Sequence, residues 1–181
     1  MSSLRNSYYN LTKTEQSILL RDMTLDGSPA GNPNANVDGS VTPVKFYITP
    51  SANQDIEVVQ VGIEVSDSGN PGLDDYGNIA GPLLNGIQFF VEVDGVEVNV
   101  FNPLTSNREL INLGPVVERA AFSGSTVVNL YSFNAWQHAK SGLMIRGDRN
   151  EKFGVKINDN LSSLIAHTFV VKGNIRLASV A

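Results

Sequence analysis

The sequence predicts a mainly β protein: an antiparallel β-sandwich, jelly-roll-like, with an extended N-terminal arm that carries a short helix. After residue 43, about eight short segments show strand-like alternation of apolar and polar residues, with loop-like connections between most of them. By contrast, residues 26–42, DGSPAGNPNANVDGSVT, consist mostly of residues that form turns and linkers. We therefore divide the chain into an arm, residues 1–42, and a β-sandwich domain, residues 43–181.

The arm contains one candidate helix. Thr12 and Glu15 have the spacing of a capping box, in which each side chain satisfies a free backbone amide of the first helical turn. Ile18, Leu19 and Met23 follow and give a short apolar face. Because a helix of about three turns is marginal alone, we expect these three residues to bind a partner. A disordered tail is the alternative interpretation of the same composition.

The clearest strand signal is a hairpin in GIQFFVEVDGVEVNV, where apolar residues alternate on both sides of Asp94-Gly95. This dipeptide supplies a turn with positive φ. In IEVVQVGIEV the alternation changes parity between Val58 and Val59, which predicts a β-bulge. The other strands are predicted at residues 44–49, 126–133, 142–147, 151–157 and 166–178.

One short helix is predicted among the strands, in PLTSNRELINLG. Ser106 and Glu109 have capping-box spacing, and Gly114 is a terminator. An immunoglobulin-like sandwich would carry a Cys–Trp–Cys framework, and this chain contains no cysteine. The absence of that framework favours the jelly roll over the immunoglobulin topology.

Composition excludes several classes of function. The net charge is −5 and no block of like charges occurs, which argues against a nucleic-acid binder. The lack of cysteine removes disulfides, thiolate metal sites and cysteine nucleophiles. No apolar run approaches the length of a membrane span, and the first residues lack the apolar core of a secretory signal. We expect a soluble protein that makes no contact with membranes.

No catalytic residue and no cofactor are predicted. His138 and His167 are the only histidines, and no GxSxG motif accompanies them. His167 alternates in phase with Phe169 and Val171, which is typical of a partly buried strand residue. His138 lies in NAWQHAKSG, which is typical of a surface turn.

Two short motifs could indicate a metal site and an adhesion function, but we favour simpler interpretations. Asp67, Asp74 and Asp75 lie among oxygen-bearing side chains in residues 66–78, but their spacing is not that of an EF-hand, and a solvated turn is the simpler interpretation. We therefore predict no metal site. The tripeptide RGD at 146–148 matches an adhesion motif, although three residues match by chance and a charged hairpin end explains them.

Three separated phrases carry a family resemblance. They are NANVDGSVTPVKFYITPSANQDIEVVQVGIEVSD, LLNGIQFF and MIRGDRNEKFGVKINDNLSSL, all within residues 34–165. They resemble a family of small structural proteins of tailed bacteriophages, whose β domain opens with a (N)VDGSxTPVxF phrase and which carries LxNG and D-(D/N)-L-S-x-L phrases.

The resemblance implies a non-enzymatic structural component of a virion, assembled in the host cytoplasm. The first expectation is a capsid decoration or cement protein that binds the major capsid protein or other virion proteins and forms a homo-oligomer. The alternative within this class is a tail, neck or fibre-attachment subunit. A second alternative is a carbohydrate-binding module for host recognition, which requires exposed aromatic residues, and only Trp136, Tyr131 and Tyr76 are candidates.

Overall fold

The computed structural model describes residues 16–28, 31–68, 72–112, 118–121, 126–134 and 142–177. Within these residues, two antiparallel sheets pack together and one helix, α1 (Asn107–Asn112), lies outside them. The strands are β1 (Gln16–Asp22), β2 (Thr24–Leu25), β3 (Val44–Ile48), β4 (Gln54–Ser68), β5 (Ile87–Val93), β6 (Val96–Asn99), β7 (Glu118–Ala121), β8 (Thr126–Asn134), β9 (Leu143–Arg146), β10 (Lys152–Ile157) and β11 (Ala166–Leu177). The predicted mainly β, antiparallel sandwich is confirmed.

The first sheet has six strands and the second has five. The first has the order β1-β11-β4-β8-β7, and β9 also pairs with β4. The second has the order β2-β3-β10-β5-β6. Six of the ten connections between successive described strands cross from one sheet to the other, and β11 lies between β1 and β4.

The predicted bulge is confirmed in β4. Lys172 of β11 faces Gln60 and Gly173 faces Val58, so Val59 is the extra residue. Val58 and Val61 are both fully buried, because the bulge absorbs the change of parity and keeps both halves of the strand facing the core.

The hairpin between β5 and β6 is also confirmed. Val93 faces Val96, and the two loop residues, Asp94 and Gly95, have φ angles of 51° and 77°. Positive φ at both positions is the geometry of the turn that matches strand twist.

The core between the sheets is rich in aromatic rings. Phe89 of the second sheet contacts Phe169 of the first edge-to-face at 5.5 Å between centroids, and it stacks on Phe153 at 6.1 Å. Phe46 and Phe169 meet at 6.5 Å. These four rings are fully buried, and they join the sheets through the apolar face that each strand presents.

The predicted N-terminal helix is wrong for residues 16–22, which form strand β1 and pair antiparallel with β11. Thr12 and Glu15, the predicted cap, lie outside the described residues. Leu19 and Met23 are 2% and 0% exposed and belong to the core, whereas Ile18 is 87% exposed. Pairing with β11 supplies a full ladder of hydrogen bonds and an apolar pocket, which outweighs the weak preference of a short isolated helix.

The sheets and their packing therefore do not begin at residue 43. The Asn- and Gly-rich segment before it lies on the sandwich: the Ala35 N–H donates to the His167 carbonyl at 2.6 Å, and the Leu161 N–H donates to the Val37 carbonyl at 2.8 Å. Ala35 is fully buried. Residues 31–42 are packed chain rather than a free linker, because their backbone groups find partners in the segment that leads into β11.

Candidate functional site

The three family-like phrases meet at one end of the sandwich. Asp159, from the third phrase, contacts Gly39 from the first phrase and residues 84–86 from the second. We call this group the Asp159 junction. The Gly39 N–H donates to the Asp159 carbonyl at 2.9 Å, and the Asp159 carboxylate accepts hydrogen bonds from the 84–86 turn.

The carboxylate of Asp159 binds three consecutive backbone amides. The Leu84 N–H donates to Oδ1 at 3.0 Å, while Oδ2 accepts the N–H groups of Asn85 at 3.1 Å and Gly86 at 2.8 Å. Successive amides that point at one place form a concave anion site. Here the protein supplies its own anion, so Asp159 holds a turn in place and is not available as a general base.

Glycine is required at two positions of the junction. Gly86 has a φ of 73°, and a Cβ there would lie 2.8 Å from the Leu104 carbonyl oxygen. A Cβ on Gly39 would lie 2.2 Å from the Ile157 carbonyl oxygen. The VDGS and LNG phrases therefore contain glycine because backbone must approach backbone closely there.

Matching side-chain turns flank the junction. The Asp38 carboxylate accepts hydrogen bonds from the Ser40 N–H at 3.0 Å and from its hydroxyl at 2.5 Å, and these bonds hold the pKa of Asp38 below its ordinary value. Asn160 accepts the same pair of bonds from Ser162, at 3.0 and 2.6 Å. Both are local side-chain-to-backbone turns that fix an exposed loop.

The surface beside the junction is polar but has two apolar residues. A shallow pocket of about 400 Å³ is lined in part by Asn85, Gln88 and Lys156. Val41 and Leu84, which adjoin the junction in the sequence, are 91% and 89% exposed. Amide groups and exposed aliphatic side chains can bind a protein surface, and they offer no acid–base pair for catalysis.

A larger cleft of about 500 Å³ lies between the β1–β2 turn and the second sheet. Its lining includes Arg21 and Lys152 as cations and Asp22 and Asp26 as carboxylates, so the charges of these four residues cancel. This balance favours neither an anionic nor a cationic ligand.

The outer face of the second sheet carries a pattern that the sequence analysis missed. Tyr47 of β3 and Phe90 of β5 lie on either side of Gly154 of β10; their rings pack edge-to-face at 5.7 Å between centroids, and both are buried. The Lys152 ammonium lies 4.8 Å from the Tyr47 ring centroid, and that of Lys156 lies 5.8 Å from the Phe90 centroid. A Cβ on Gly154 would approach Phe90 to 2.6 Å, so glycine makes room for the ring.

Ion pairs cover these rings. Glu97 binds Lys156 at 2.6 Å and also Lys45, and the Tyr47 hydroxyl donates to Glu92 at 2.8 Å. Burial and the Glu92 carboxylate raise the pKa of Tyr47. Burial opposes ionisation of Glu97, but its two lysine partners together lower its pKa. The lysines of this face are paired with carboxylates, so the face is not a phosphate-binding surface.

His167 lies on a strand, as its alternation predicted, but it is a core residue rather than a partly buried one. It is fully buried, its Nε2 lies 3.1 Å from the Tyr76 hydroxyl, and its ring lies 4.6 Å from that of Phe169. Burial lowers the pKa of His167 to about 3, which keeps the imidazole neutral at pH 7. His138 lies outside the described residues.

The acidic loop is organised by backbone amides. Asp75 accepts the N–H of Gly81 at 2.9 Å and that of Gly72 at 2.5 Å, and both bonds lower its pKa. Asp74 pairs with Arg108 at 3.0 Å on the surface. The side chain of Asp67 lies outside the described part. Among the described residues, no group of three or more His, Asp or Glu side chains could hold a metal ion.

The RGD tripeptide begins the turn that connects β9 to β10. Arg146 pairs with Asp148 at 2.9 Å, and the Gly147 N–H donates to the Gln54 carbonyl at 3.0 Å. The neighbouring Glu151 accepts the Arg146 N–H at 2.8 Å. The charged turn is confirmed by these contacts, because the Arg and Asp side chains bind each other. The predicted hairpin is wrong, because β9 pairs with β4 in the first sheet whereas β10 belongs to the second, so the turn connects the two sheets.

The other predicted site residues have different outcomes. Of the three partner-binding candidates, Ile18 is exposed, whereas Leu19 and Met23 are buried within this chain and cannot bind a partner. Of the three aromatic candidates for glycan stacking, Tyr76 is fully buried. Trp136 and the side chain of Tyr131 lie outside the described part.

The helix α1 is confirmed, although its capping differs from the prediction. Glu109 accepts hydrogen bonds from the N–H and, at 2.9 Å, from the hydroxyl of Thr105 rather than from Ser106. The Ser106 carbonyl accepts the Leu110 N–H at 3.1 Å. Gly114 lies outside the described residues. No helix in the described ranges is long and apolar enough to cross a membrane.

Comparison with known proteins adds no relative. A scan against protein-family models gives no match, and a search of curated proteins gives none either.

Proposed function

We propose that this protein is a non-enzymatic structural component of a tailed-phage virion, in the first place a capsid decoration or cement protein. The Asp159 junction carries the proposal. The three phrases that resemble the phage family are separated in sequence, yet they contact one another through Gly39, the 84–86 turn and Asp159. Because the three phrases contact one another, they form one structural feature, and this supports the resemblance more strongly than three unrelated short matches would.

The strand order supports the jelly-roll part of the proposal. Eight of the described strands form two rows of four, β1-β11-β4-β8 in the six-stranded sheet and β3-β10-β5-β6 in the five-stranded sheet. Within these eight, each strand and the next along the chain lie in different sheets, except for the β5–β6 hairpin. A jelly roll is a double-sheet fold of eight strands, and it is common in viral capsid proteins. This fold by itself does not determine a function, so the proposal also depends on the junction and its surface.

The exposed surface beside the junction is the proposed contact with the capsid. Val41 and Leu84 present aliphatic side chains there, and Asn85 and Gln88 present amides. An apolar centre with hydrogen-bonding groups around it is typical of protein interfaces. The surface is held by the Asp159 carboxylate, so it is formed before a partner binds and little ordering entropy opposes binding.

The decisive measurement is the copy number of the chain in purified particles, relative to the major shell protein. A decoration protein is present in numbers on the order of hundreds, whereas a tail or neck subunit follows a ring symmetry of about six or twelve. A low number would replace the first proposal with the tail or neck alternative. Absence of the chain from purified particles would contradict both.

A binding test addresses the surface. The full chain should co-sediment with particles that lack it, and Val41→Asp with Leu84→Asp should weaken this binding by about tenfold or more. Leu73→Asp is the matched control, because Leu73 is an exposed leucine on a different loop. Equal binding of the control and the double variant would remove the junction surface as the contact.

A further inference from the structure

Within the part of the chain that the structure describes, strand β1 lies at the edge of the first sheet. Among the described residues, its only strand partner is β11. The Met23 N–H donates to the Phe169 carbonyl at 2.8 Å, which continues the β1–β11 ladder. Because backbone groups alternate in direction along a strand, the odd-numbered residues of β1 face β11, and Ile18, Leu20 and Asp22 direct their N–H and C=O groups toward the open edge.

The same residues expose apolar side chains. Ile18 is 87% exposed and Leu20 is 69% exposed, on the outer face of the sheet. Their neighbours across the ladder are Asn174 and Lys172, so neither lies directly opposite an aliphatic residue of β11. Exposed apolar side chains beside unpaired backbone groups form a template for another strand.

We infer that β1 pairs antiparallel with β1 of a second copy of this chain, about a two-fold axis at Leu19. In this register Ile18 faces Leu20 of the partner and Leu20 faces Ile18 of the partner. These are the residues whose backbone groups point to the edge, so each such pair exchanges both N–H···O bonds. One symmetric contact therefore satisfies the free backbone groups and covers both apolar side chains on each copy.

Two neighbouring registers, with the axis moved toward the end of β1, fit less well. A two-fold axis at Leu20 places Ile18 opposite the carboxylate of Asp22, and an axis at Arg21 places two guanidinium groups opposite each other. Like charges directly opposite in a ladder are destabilising. The register at Leu19 also pairs the strand along its whole length, from Gln16 to Asp22.

The expected dimer is weak and depends on concentration. A single strand pair buries less than the roughly 1,200–2,000 Å² of a standard stable interface. The inference is independent of the proposed virion role, because it depends only on the edge of β1 and its exposed side chains.

The experiment uses the full chain and measures its mass by sedimentation equilibrium over a range of concentrations. Ile18→Lys with Leu20→Lys should raise the dimer dissociation constant by about tenfold or more, because cations replace the apolar contacts of the symmetric pair. Val98→Lys is the matched control, since Val98 is an exposed valine on β6, the edge of the other sheet. A wild-type chain that stays monomeric at all concentrations would overturn the inference, as would a dimer that only the Val98 variant disrupts.

Cross-linking tests the register separately. The chain has no cysteine, so each introduced thiol is unique. Ile18→Cys mixed with Leu20→Cys should form a disulfide-linked heterodimer faster than either variant alone, because directly opposite residues lie about 5.5 Å apart between Cα atoms, within disulfide range. Faster homodimer formation by either variant alone would reject the axis at Leu19. Both positions are exposed, so neither substitution removes a core contact.

Discussion

From the structure of the Asp159 junction, we predict that the small change Asp159→Asn greatly lowers the free energy of unfolding. Asp159→Asn replaces one carboxylate oxygen with an NH₂ group, which faces backbone N–H donors and cannot accept from them. A hydrogen bond to a charged acceptor contributes about 1.5–3 kcal/mol net, and a buried amide left unpaired costs about 1–3 kcal/mol. Gly86 is buried, whereas Leu84 and Asn85 are exposed enough for water to replace the acceptor. We therefore expect a loss of about 2–4 kcal/mol in the free energy of unfolding.

The loss is measured by urea unfolding at pH 7 and checked by thermal melting. For a chain of this size, about 1 kcal/mol corresponds to roughly 2–4 °C, so the melting temperature should fall by roughly 4–16 °C. The matched control is Asp38→Asn, where an exposed carboxylate accepts bonds from Ser40 only. It should destabilise the fold less than Asp159→Asn does, because water can replace the bonds that an exposed carboxylate loses. If both variants lose the same small amount of unfolding free energy, the Asp159 carboxylate does not hold the 84–86 turn.

The remaining predictions concern the hairpin, the first strand, the buried histidine and the acidic loop. Gly95→Val should cost about 1 kcal/mol or more through strain at positive φ. A Cβ at this position would have no atom within 4 Å, so strain rather than a clash is the cause, and Gly95→Asn should cost less. An unchanged melting temperature for the valine variant would count against this prediction. Met23→Ala should cost about 2–5 kcal/mol and Ile18→Ala less than about 0.5 kcal/mol in the free energy of unfolding, because Met23 is in the core and Ile18 is on the surface. Equal losses in urea unfolding would contradict the burial of Met23 beside an exposed Ile18. Burial lowers the pKa of His167 to about 3, so as the pH falls from 6.5 toward 3 the unfolded chain binds a proton that the folded chain does not. Through this group, the free energy of unfolding should fall by up to about 1.4 kcal/mol per pH unit. His167→Gln should show a shallower dependence of the free energy of unfolding on pH between pH 6 and 5, and identical slopes would refute this prediction. Chelation with EDTA should leave the melting temperature unchanged, because Asp75 of the acidic loop already binds two backbone amides. A melting temperature that falls with EDTA and recovers with calcium would establish a metal site.

Local sequence patterns determined much of the fold. The Asp94-Gly95 turn and the bulge at Val59 were predicted correctly because each follows from backbone conformation and from the two-residue period of a strand. The strand β10 and most of β11 were found for the same reason. The burial of His167 followed from its phase with its neighbours, since one face of a strand has one environment.

Long-range contacts decided the rest. Residues 16–22 have a local pattern that fits a short helix, and they form β1 because β11, far away in the chain, offers backbone partners and a pocket for Leu19. The role of Asp159 could not be predicted from the sequence either, because its three N–H donors lie more than seventy residues away in the chain. Local patterns report the conformation that a segment prefers by itself, whereas burial and hydrogen bonds to distant segments contribute more free energy than that preference and select the final structure.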